Sequence, residues 1–371
     1  MAYFDPRPKT RIEDFFDMRS ELEEFRRSIA ATPLTLVLGL RRYGKTSLVL
    51  TGLNMAGVSY LFIDARLLPS TGPVRAEELA LLLSASLEDL VRREGGLGRR
   101  IASALRRVEG VSVAGVKIAI RPSSVKPLTL ARVLGELEAA LEGELVLVFD
   151  EAQELRRVAR FRLDSLLAYV YDHLSTVKTV LTGSQVGLLY RFLRLDDPEA
   201  PLYGRPRAEV RLHPLSREEA IEFLRKGFEQ YGVEPPGELL EEAWKRFGGV
   251  IGWLTYLGHR IVGAGVERWR EVIGQVQREA SRMALRELEN FLSTRPLGSR
   301  RRYMAVLRAA AVLGEARWSN LKVYVESSTG RIPDKALGNV LRNLVDAGFL
   351  AREGGRYRVA DLVLREALRG A

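Results

Sequence analysis

Leu34-Thr35-Leu36-Val37-Leu38-Gly39-Leu40-Arg41-Arg42-Tyr43-Gly44-Lys45-Thr46-Ser47 decides the fold of this chain of 371 residues. The first five residues are an apolar run of strand length, and Gly39 to Thr46 matches the G-x-x-x-x-G-K-[ST] phosphate-loop pattern in full. Its glycines let the backbone fold so that successive N–H groups surround a β-phosphate, and the helix behind it aims its positive N-terminal end at the anion. Lys45 is placed to bridge β and γ oxygens, and Thr46 to offer its hydroxyl to Mg²⁺. An ordinary glycine turn is the bland alternative, and the strand before and helix after the loop count against it. The stretch therefore predicts a nucleoside triphosphate site, for ATP with Mg²⁺, built on Gly39, Arg41, Arg42, Gly44, Lys45, Thr46 and Ser47.

Such a loop needs a second acidic element to hold the metal. Leu145-Val146-Leu147-Val148-Phe149-Asp150 is apolar enough to cross a sheet covered on both faces, and it ends in Asp150-Glu151. Asp150 would anchor Mg²⁺ through water and Glu151 would polarise the attacking water. Two acids there could instead open a helix; the phosphate loop favours the metal reading. Val177 to Thr182 is a further strand, followed by Thr182-Gly183-Ser184-Gln185, where Thr182 or Ser184 could touch the γ-phosphate or the water, or Ser184 could cap a helix. The loop Pro201-Leu202-Tyr203-Gly204-Arg205-Pro206-Arg207 carries two arginines. One could act as a finger on the γ-phosphate, in cis or from a neighbouring subunit, or simply be solvated.

Around these motifs the chain alternates strand-like and helical segments. Helices are expected over Asp17–Ala30, Ala76–Arg93, Leu97–Val108 and Thr129–Leu141, strands over Val58–Asp64 and Ala208–Leu212, and a strand pair over Val111–Ile120. That texture indicates an α/β fold with a parallel sheet. Past His213 it turns almost purely helical. Ser216-Arg217-Glu218-Glu219 is a capping box, and helical patterns follow over Leu239–Phe247, Trp253–Val262 and Glu267–Leu292. A break at Thr294–Ser299 then introduces a final unit. Three segments follow from this: residues 1–213 as the α/β core with its N-terminal helix, 214–295 as an all-helical segment, and 296–371 as a small C-terminal domain.

The C-terminal unit holds helical patterns at Arg301–Leu313, Trp318–Glu326 and Pro333–Ala347, then two short strands about Gly354-Gly355, which reads as a winged helix. In the third helix Leu337, Val340, Leu341 and Leu344 face inward. Lys335, Asn339 and Arg342 then form an outer stripe that, with Arg352, Arg356 and Arg358 on the wing, suits double-stranded DNA. From Arg300 onward there are 14 Lys and Arg against 7 Asp and Glu, so +7 of the net +10 lies in the last fifth. A polyanionic partner fits that bias; a protein-docking winged helix, with charge that only solvates it, is the competing reading. No apolar run is long enough to span a membrane and no secretory leader pattern opens the chain, so a cytoplasmic protein is expected. The absence of cysteine removes thiolate catalysis and cysteine zinc sites, and three scattered histidines do not suggest a histidine metal site.

Taken together, the sequence resembles the archaeal P-loop ATPases of the AAA+/STAND grouping, relatives of the archaeal origin-recognition initiators. The matching stretches run in family order: Phe16 to Leu22, Gly39 to Leu48, Phe149 to Gln153 (FDEAQ), Thr182-Gly183-Ser184, Pro201 to Arg205 (PLYGR), the helix from Pro214, Gly248 to Leu254, and the winged helix. The resemblance implies that Asp17 and Arg19 lie near the adenine, that Ser184 is the first sensor, and that Arg205 is the arginine of the region after the fourth strand. It also implies that the helical segment from Pro214, residues 214–295, is an all-α lid whose Gly248–Leu254 turn closes over ATP or ADP. Three departures stand out: Ile251 where the family commonly has Pro, Met18 where a polar or charged residue is usual, and no evident lid arginine as a second sensor. The expected role is an ATP-driven switch that moves the winged helix on DNA, or a signalling or scaffold protein in which ATP licenses oligomerisation and the winged helix docks a protein partner. A small-molecule kinase is disfavoured, since no acceptor pocket or set of lid arginines is legible.

Overall fold

The computed structural model describes residues 2–69, 72–159 and 161–370. An N-terminal segment leads into α1 (Arg19–Ala31), β1 (Leu34–Leu38), α2 (Lys45–Ala56) and β2 (Ser59–Asp64). Then come α3 (Ala76–Arg93), α4 (Gly98–Leu105), the hairpin β3 (Val111–Ala114) and β4 (Lys117–Ile120), and α5 (Pro127–Ala140). The core closes with β5 (Leu145–Asp150), α6 (Leu163–His173), β6 (Val177–Gly183), α7 (Val186–Leu193) and β7 (Ala208–Arg211). Five of these strands form one sheet in the order β2-β5-β6-β1-β7, all parallel.

Strand alternation divides the core into two layers. Leu34, Leu36 and Leu38 of β1, with Leu145, Leu147 and Phe149 of β5, pack on the face covered by α3 to α6. Val37, Val146 and Val148 face the other way, towards α1, α2 and the helices beyond His213. Every residue of β1 and β5 is buried, as both-face coverage requires. Helix α1 begins at Arg19, two residues later than its apolar spacing suggests. Asp17 and Met18 have φ of 45° and 52°, left-handed values that cannot continue a right-handed helix.

Four lid helices follow: α8 (Arg217–Glu229), α9 (Gly237–Phe247), α10 (Ile251–Ala264) and α11 (Trp269–Ser293). The capping box at Ser216 forms as read, with Glu219 N–H donating to the Ser216 hydroxyl at 3.2 Å and Ser216 N–H to the Glu219 carboxylate at 2.6 Å. The C-terminal unit contains α12 (Leu297–Leu313), β8 (Ala316–Arg317), α13 (Trp318–Thr329), α14 (Asp334–Asp346), β9 (Leu350–Glu353), β10 (Arg356–Val359) and α15 (Leu362–Arg369). This is the winged helix expected, with two elements the pattern did not reveal: β8, which pairs with β10, and α15. The break before it is shorter than read, because Pro296 presets the first turn and Gly298 and Ser299 are already helical. One apolar cluster runs unbroken from Val37 and Leu48 through the lid to Leu350 and Leu364, so lid and winged helix share a core with the sheet.

Candidate nucleotide site

Parallel strands collect the site at one edge of the sheet. β6 lies between β1 and β5, with Leu38 opposite Gly183 and Phe149 opposite Leu181. The phosphate loop leaving β1, the Asp150-Glu151 pair leaving β5 and the Thr182–Ser184 segment of β6 therefore converge. Gly44 has φ 85°, a conformation a side chain would strain, and a Cβ on Gly39 would lie 3.0 Å from the Leu212 carbonyl oxygen. Glycine at both ends of the loop is a steric requirement.

Lys45 is buried, and its ammonium donates to the carbonyls of Gly39 and Leu40, each at 2.9 Å, with the Glu151 carboxylate at 3.5 Å. Burial pulls its pKa down, and the facing Glu151 and Asp150 oppose that. Asp150 is fully buried. The Thr46 hydroxyl donates to its Oδ2 at 2.9 Å and the Thr182 hydroxyl to its Oδ1 at 2.6 Å. Burial pushes its pKa up, against the hydrogen bond from Thr182 and the charge of Arg66. Thr182 thus supports Asp150, and its oxygen also accepts the Glu151 N–H at 2.9 Å.

Glu151 is held in the left-handed region at φ 50°, a strain of about 1–3 kcal/mol of the kind that gathers at functional sites. Its Oε2 accepts the Ser184 hydroxyl, the Ser184 N–H at 3.2 Å and the Gln153 amide at 2.6 Å. Burial alone would raise its pKa, but the Lys45 charge and the Ser184 and Gln153 hydrogen bonds outweigh it and hold it at about 2. A carboxylate held ionised beside the phosphate lysine can accept a hydrogen bond from water, and it becomes a better base once the lysine charge turns from it to phosphate oxygens. The oxygen-only pair of Thr46 and Asp150 suits a hard divalent cation such as Mg²⁺. Among the described residues no cluster of three or more His, Cys, Asp or Glu forms a metal site, so a cation here would need phosphate oxygens to complete its shell.

A cleft of about 740 Å³ runs from this edge under the lid, a size suited to a nucleotide. Gly44, Lys45, Thr46 and Ser47 line it, with Phe16, Met18 and Ile251 opposite. Asp17 and Arg19, expected near the adenine, are not among its lining; Arg19 is exposed at the start of α1, and Met18, the departure from the family pattern, faces the cleft instead. The Ser47 hydroxyl accepts the Lys9 N–H at 3.0 Å, tying the N-terminal segment to the loop.

Arg41 and Arg42 are engaged by the lid rather than left open for phosphate. Arg42 pairs with Glu287 of α11 at 2.5 Å and stacks 4.0 Å over Trp253, while Arg41 reaches Glu287 at 3.1 Å. The Arg42 carbonyl accepts the Gly252 N–H at 3.0 Å. Ile251 opens α10 without the expected proline and still brings the turn onto the loop.

Arg205 is not at this edge. It precedes β7, and it pairs with Asp172 at 2.6 Å beside the entry to β6, at the end of the sheet opposite the phosphate loop. A finger role in cis is therefore corrected by topology. Arg66 went unread and is central: it clamps Asp64 at 2.8 and 2.7 Å and reaches Asp150 at 3.2 Å. The signal was available, since β2 and β5 both end in Asp and pair in register, Asp64 opposite Asp150. Arg295 at the lid's end also lines the cleft, its guanidinium 4.5 Å over Phe291.

Fold and site define a P-loop ATPase architecture with a helical lid and a winged helix. The chain belongs to the family described as the ATPase domain predominantly from Archaea, which matches residues 15–257, and residues 298–360 match the C-terminal winged helix-turn-helix domain of MCM proteins. It is similar to the Walker-type ATPase of Pyrococcus abyssi, at 33% identity over 99% of both chains with a TM-score of 0.84. It also shares its fold with the ORC2 protein of Aeropyrum pernix in ADPNP-ADP complexes, at 16% identity over 99% of this chain and 97% of that one, TM-score 0.62. No curated protein matches the sequence. No helix among the described residues is long and apolar enough to cross a membrane.

Proposed function

We propose that the chain hydrolyses ATP with Mg²⁺ in the cleft between sheet and lid, and that the nucleotide state sets the position of the winged helix on double-stranded DNA. The observation that carries the first half is Glu151, ionised, strained and held by Lys45, Ser184 and Gln153 beside the buried Asp150–Thr46 pair. In this reading Glu151 accepts a proton from water as the water oxygen bonds the γ-phosphorus and the bond to the β,γ-bridging oxygen breaks, releasing ADP and phosphate. Lys45 exchanges its carbonyl partners for phosphate oxygens. When bound at Thr46 and Asp150, Mg²⁺ would neutralise phosphate charge. The family membership and the nucleotides named for the similar Aeropyrum pernix fold support this reading.

The experiment is Glu151→Gln, which should keep ATP binding and stop turnover. Hydrolysis at the wild-type rate would make the assignment of the carboxylate wrong. The DNA half is supported by Lys335, Asn339 and Arg342, all exposed along one face of α14. The wing contributes less, since Arg358 pairs with Glu353 at 3.0 Å, Arg356 lies 3.8 Å from Glu315, and Arg352 lies over Tyr357. A duplex titration at rising salt tests it: affinity should fall steeply, and no binding at low salt would leave protein docking as the reading.

A further inference from the structure

The outer face of α14 does not stop at Arg342. Successive helical residues turn by about 100°, so Lys335, Asn339, Arg342 and Asp346 fall within an arc of roughly 60°. Asp346 is the last helical residue, and unlike the other three it is covered. Its carboxylate pairs with Arg191 at 3.0 Å. Arg191 belongs to α7, the helix that departs directly from Ser184 and Gln185.

The two helices meet at backbone range. A Cβ built on Gly187 of α7 would fall 2.1 Å from Asp346 Oδ1 and 2.7 Å from Asp346 Cα. Two residues past Asp346, a Cβ on Gly348 would lie 3.0 Å from the Leu40 side chain of the phosphate loop and 3.2 Å from the Ser184 carbonyl oxygen. Phe349, next in the chain, lines the nucleotide cleft and packs on Phe291 at a centroid distance of 5.0 Å. The last turn of the recognition face therefore rests on the segment that positions Glu151. A DNA groove that received Lys335, Asn339 and Arg342 would continue along the same face and meet α7.

We propose that the α7–α14 contact, Arg191 with Asp346 over Gly187, is an autoinhibitory latch that keeps α14 from seating fully in a duplex groove until the Ser184-Gln185 segment moves α7. This rests on reading α14 as a duplex-binding helix. Arg191 is half exposed, so the ion pair itself is weak and the contact depends on the close fit at Gly187. A contact so held is easily opened, as a switch requires.

Arg191→Gln and Asp346→Asn test it because they remove opposite charges. Acting only as surface charges, the first would weaken duplex binding and the second strengthen it. As latch partners, both strengthen it, by about two- to fivefold in the nucleotide-free full chain, as the loss of a half-exposed ion pair allows. Gly187→Ala, which wedges the contact without changing charge, should do the same. In all three variants the affinity for a fluorescent ATP analogue should match wild type. Opposite signs for the two charge variants, or unchanged affinity in all three, overturns the latch while duplex binding by wild type leaves the DNA reading standing. Binding by none of the four proteins overturns the DNA reading and the latch together.

Discussion

The nucleotide cleft and the outer face of α14 are both polar, and they satisfy their charges in opposite ways. In the cleft Lys45 is held by two carbonyls and Glu151, Asp150 by two hydroxyls and Arg66, and Arg42 by Glu287 and Trp253. On α14, Lys335, Asn339 and Arg342 stand in solvent. Buried charges are costly unless paired, so each charged group of the cleft is held by another, and a phosphate beside Lys45 would compete with those partners. Losing one group leaves another buried and unmatched. Lys335 and Arg342 have no such interdependence, and exposed charges of this kind are screened by salt.

The largest expected effect breaks the cleft outright. Lys45→Ala removes the cation that faces Glu151 and the donor to the β and γ oxygens, so nucleotide affinity should fall by ~100-fold or more, in line with the loss of one partner of a buried pair. A titration with a fluorescent ATP analogue reads it, and retained affinity within tenfold would move the phosphates off this loop. Ser184→Ala comes next. It takes from Glu151 one hydrogen bond to a charged acceptor, for which about 1.5–3 kcal/mol is typical, so kcat should drop by ~10-fold or more. The KM for ATP should change little, and a pure KM effect would make Ser184 a binding residue instead.

The pH dependence of stability sharpens the same contrast. Glu151 has its pKa depressed from 4.5 to about 2, so its contribution to folding is complete above its unfolded value and is lost as pH falls towards the folded one. The gap in Tm between wild type and Glu151→Gln should be constant above pH 5 and shrink as pH drops below 4.5. A gap that persists to pH 2 would mean the carboxylate is not held ionised. On the other region, the double variant Lys335→Ala with Arg342→Ala should reduce the magnitude of the salt slope of duplex binding by about two, one per phosphate contact, with ATP affinity unchanged. An unaltered slope would take α14 out of the DNA interface.

The two regions also differ in how far their sequence speaks. The phosphate loop is legible because its chemistry is local: glycine conformations, a lysine and a threonine act within eight consecutive residues. The strand endings at Asp150 and Ser184 are nearly as plain, since an apolar run long enough to be buried on both faces must deliver its last residue to the sheet edge. The partners that tune these residues are not legible in that way. Arg66 reaches Asp150, and Glu287 and Trp253 reach the loop, only through strand register and lid packing, and no local spacing encodes either. The winged helix was readable from its apolar period, but α15 was missed although Asp361 precedes Leu362-Val363-Leu364. Its carboxylate accepts the Val363 and Leu364 N–H groups as an N-cap should. Sequence likewise showed the stripe at Lys335, Asn339 and Arg342 without showing that its continuation at Asp346 is paired with Arg191 of α7.

The smallest expected effect belongs to Arg205, which lies outside both regions and therefore measures how self-contained the cleft is. Its partner Asp172 is at the surface, and an exposed pair of this kind contributes under about 1 kcal/mol, so Arg205→Ala should leave the fold nearly as stable as before. In dilute protein kcat and ATP affinity should match wild type, because the guanidinium is at the opposite end of the sheet from the phosphate loop of its own chain. Activity measured across a range of protein concentrations separates two outcomes. A deficit that emerges only as concentration rises would put Arg205 on the nucleotide of a neighbouring copy, so that one more cation joins the cleft from outside. A deficit at every concentration would contradict the topology that separates Arg205 from Lys45, Asp150 and Glu151.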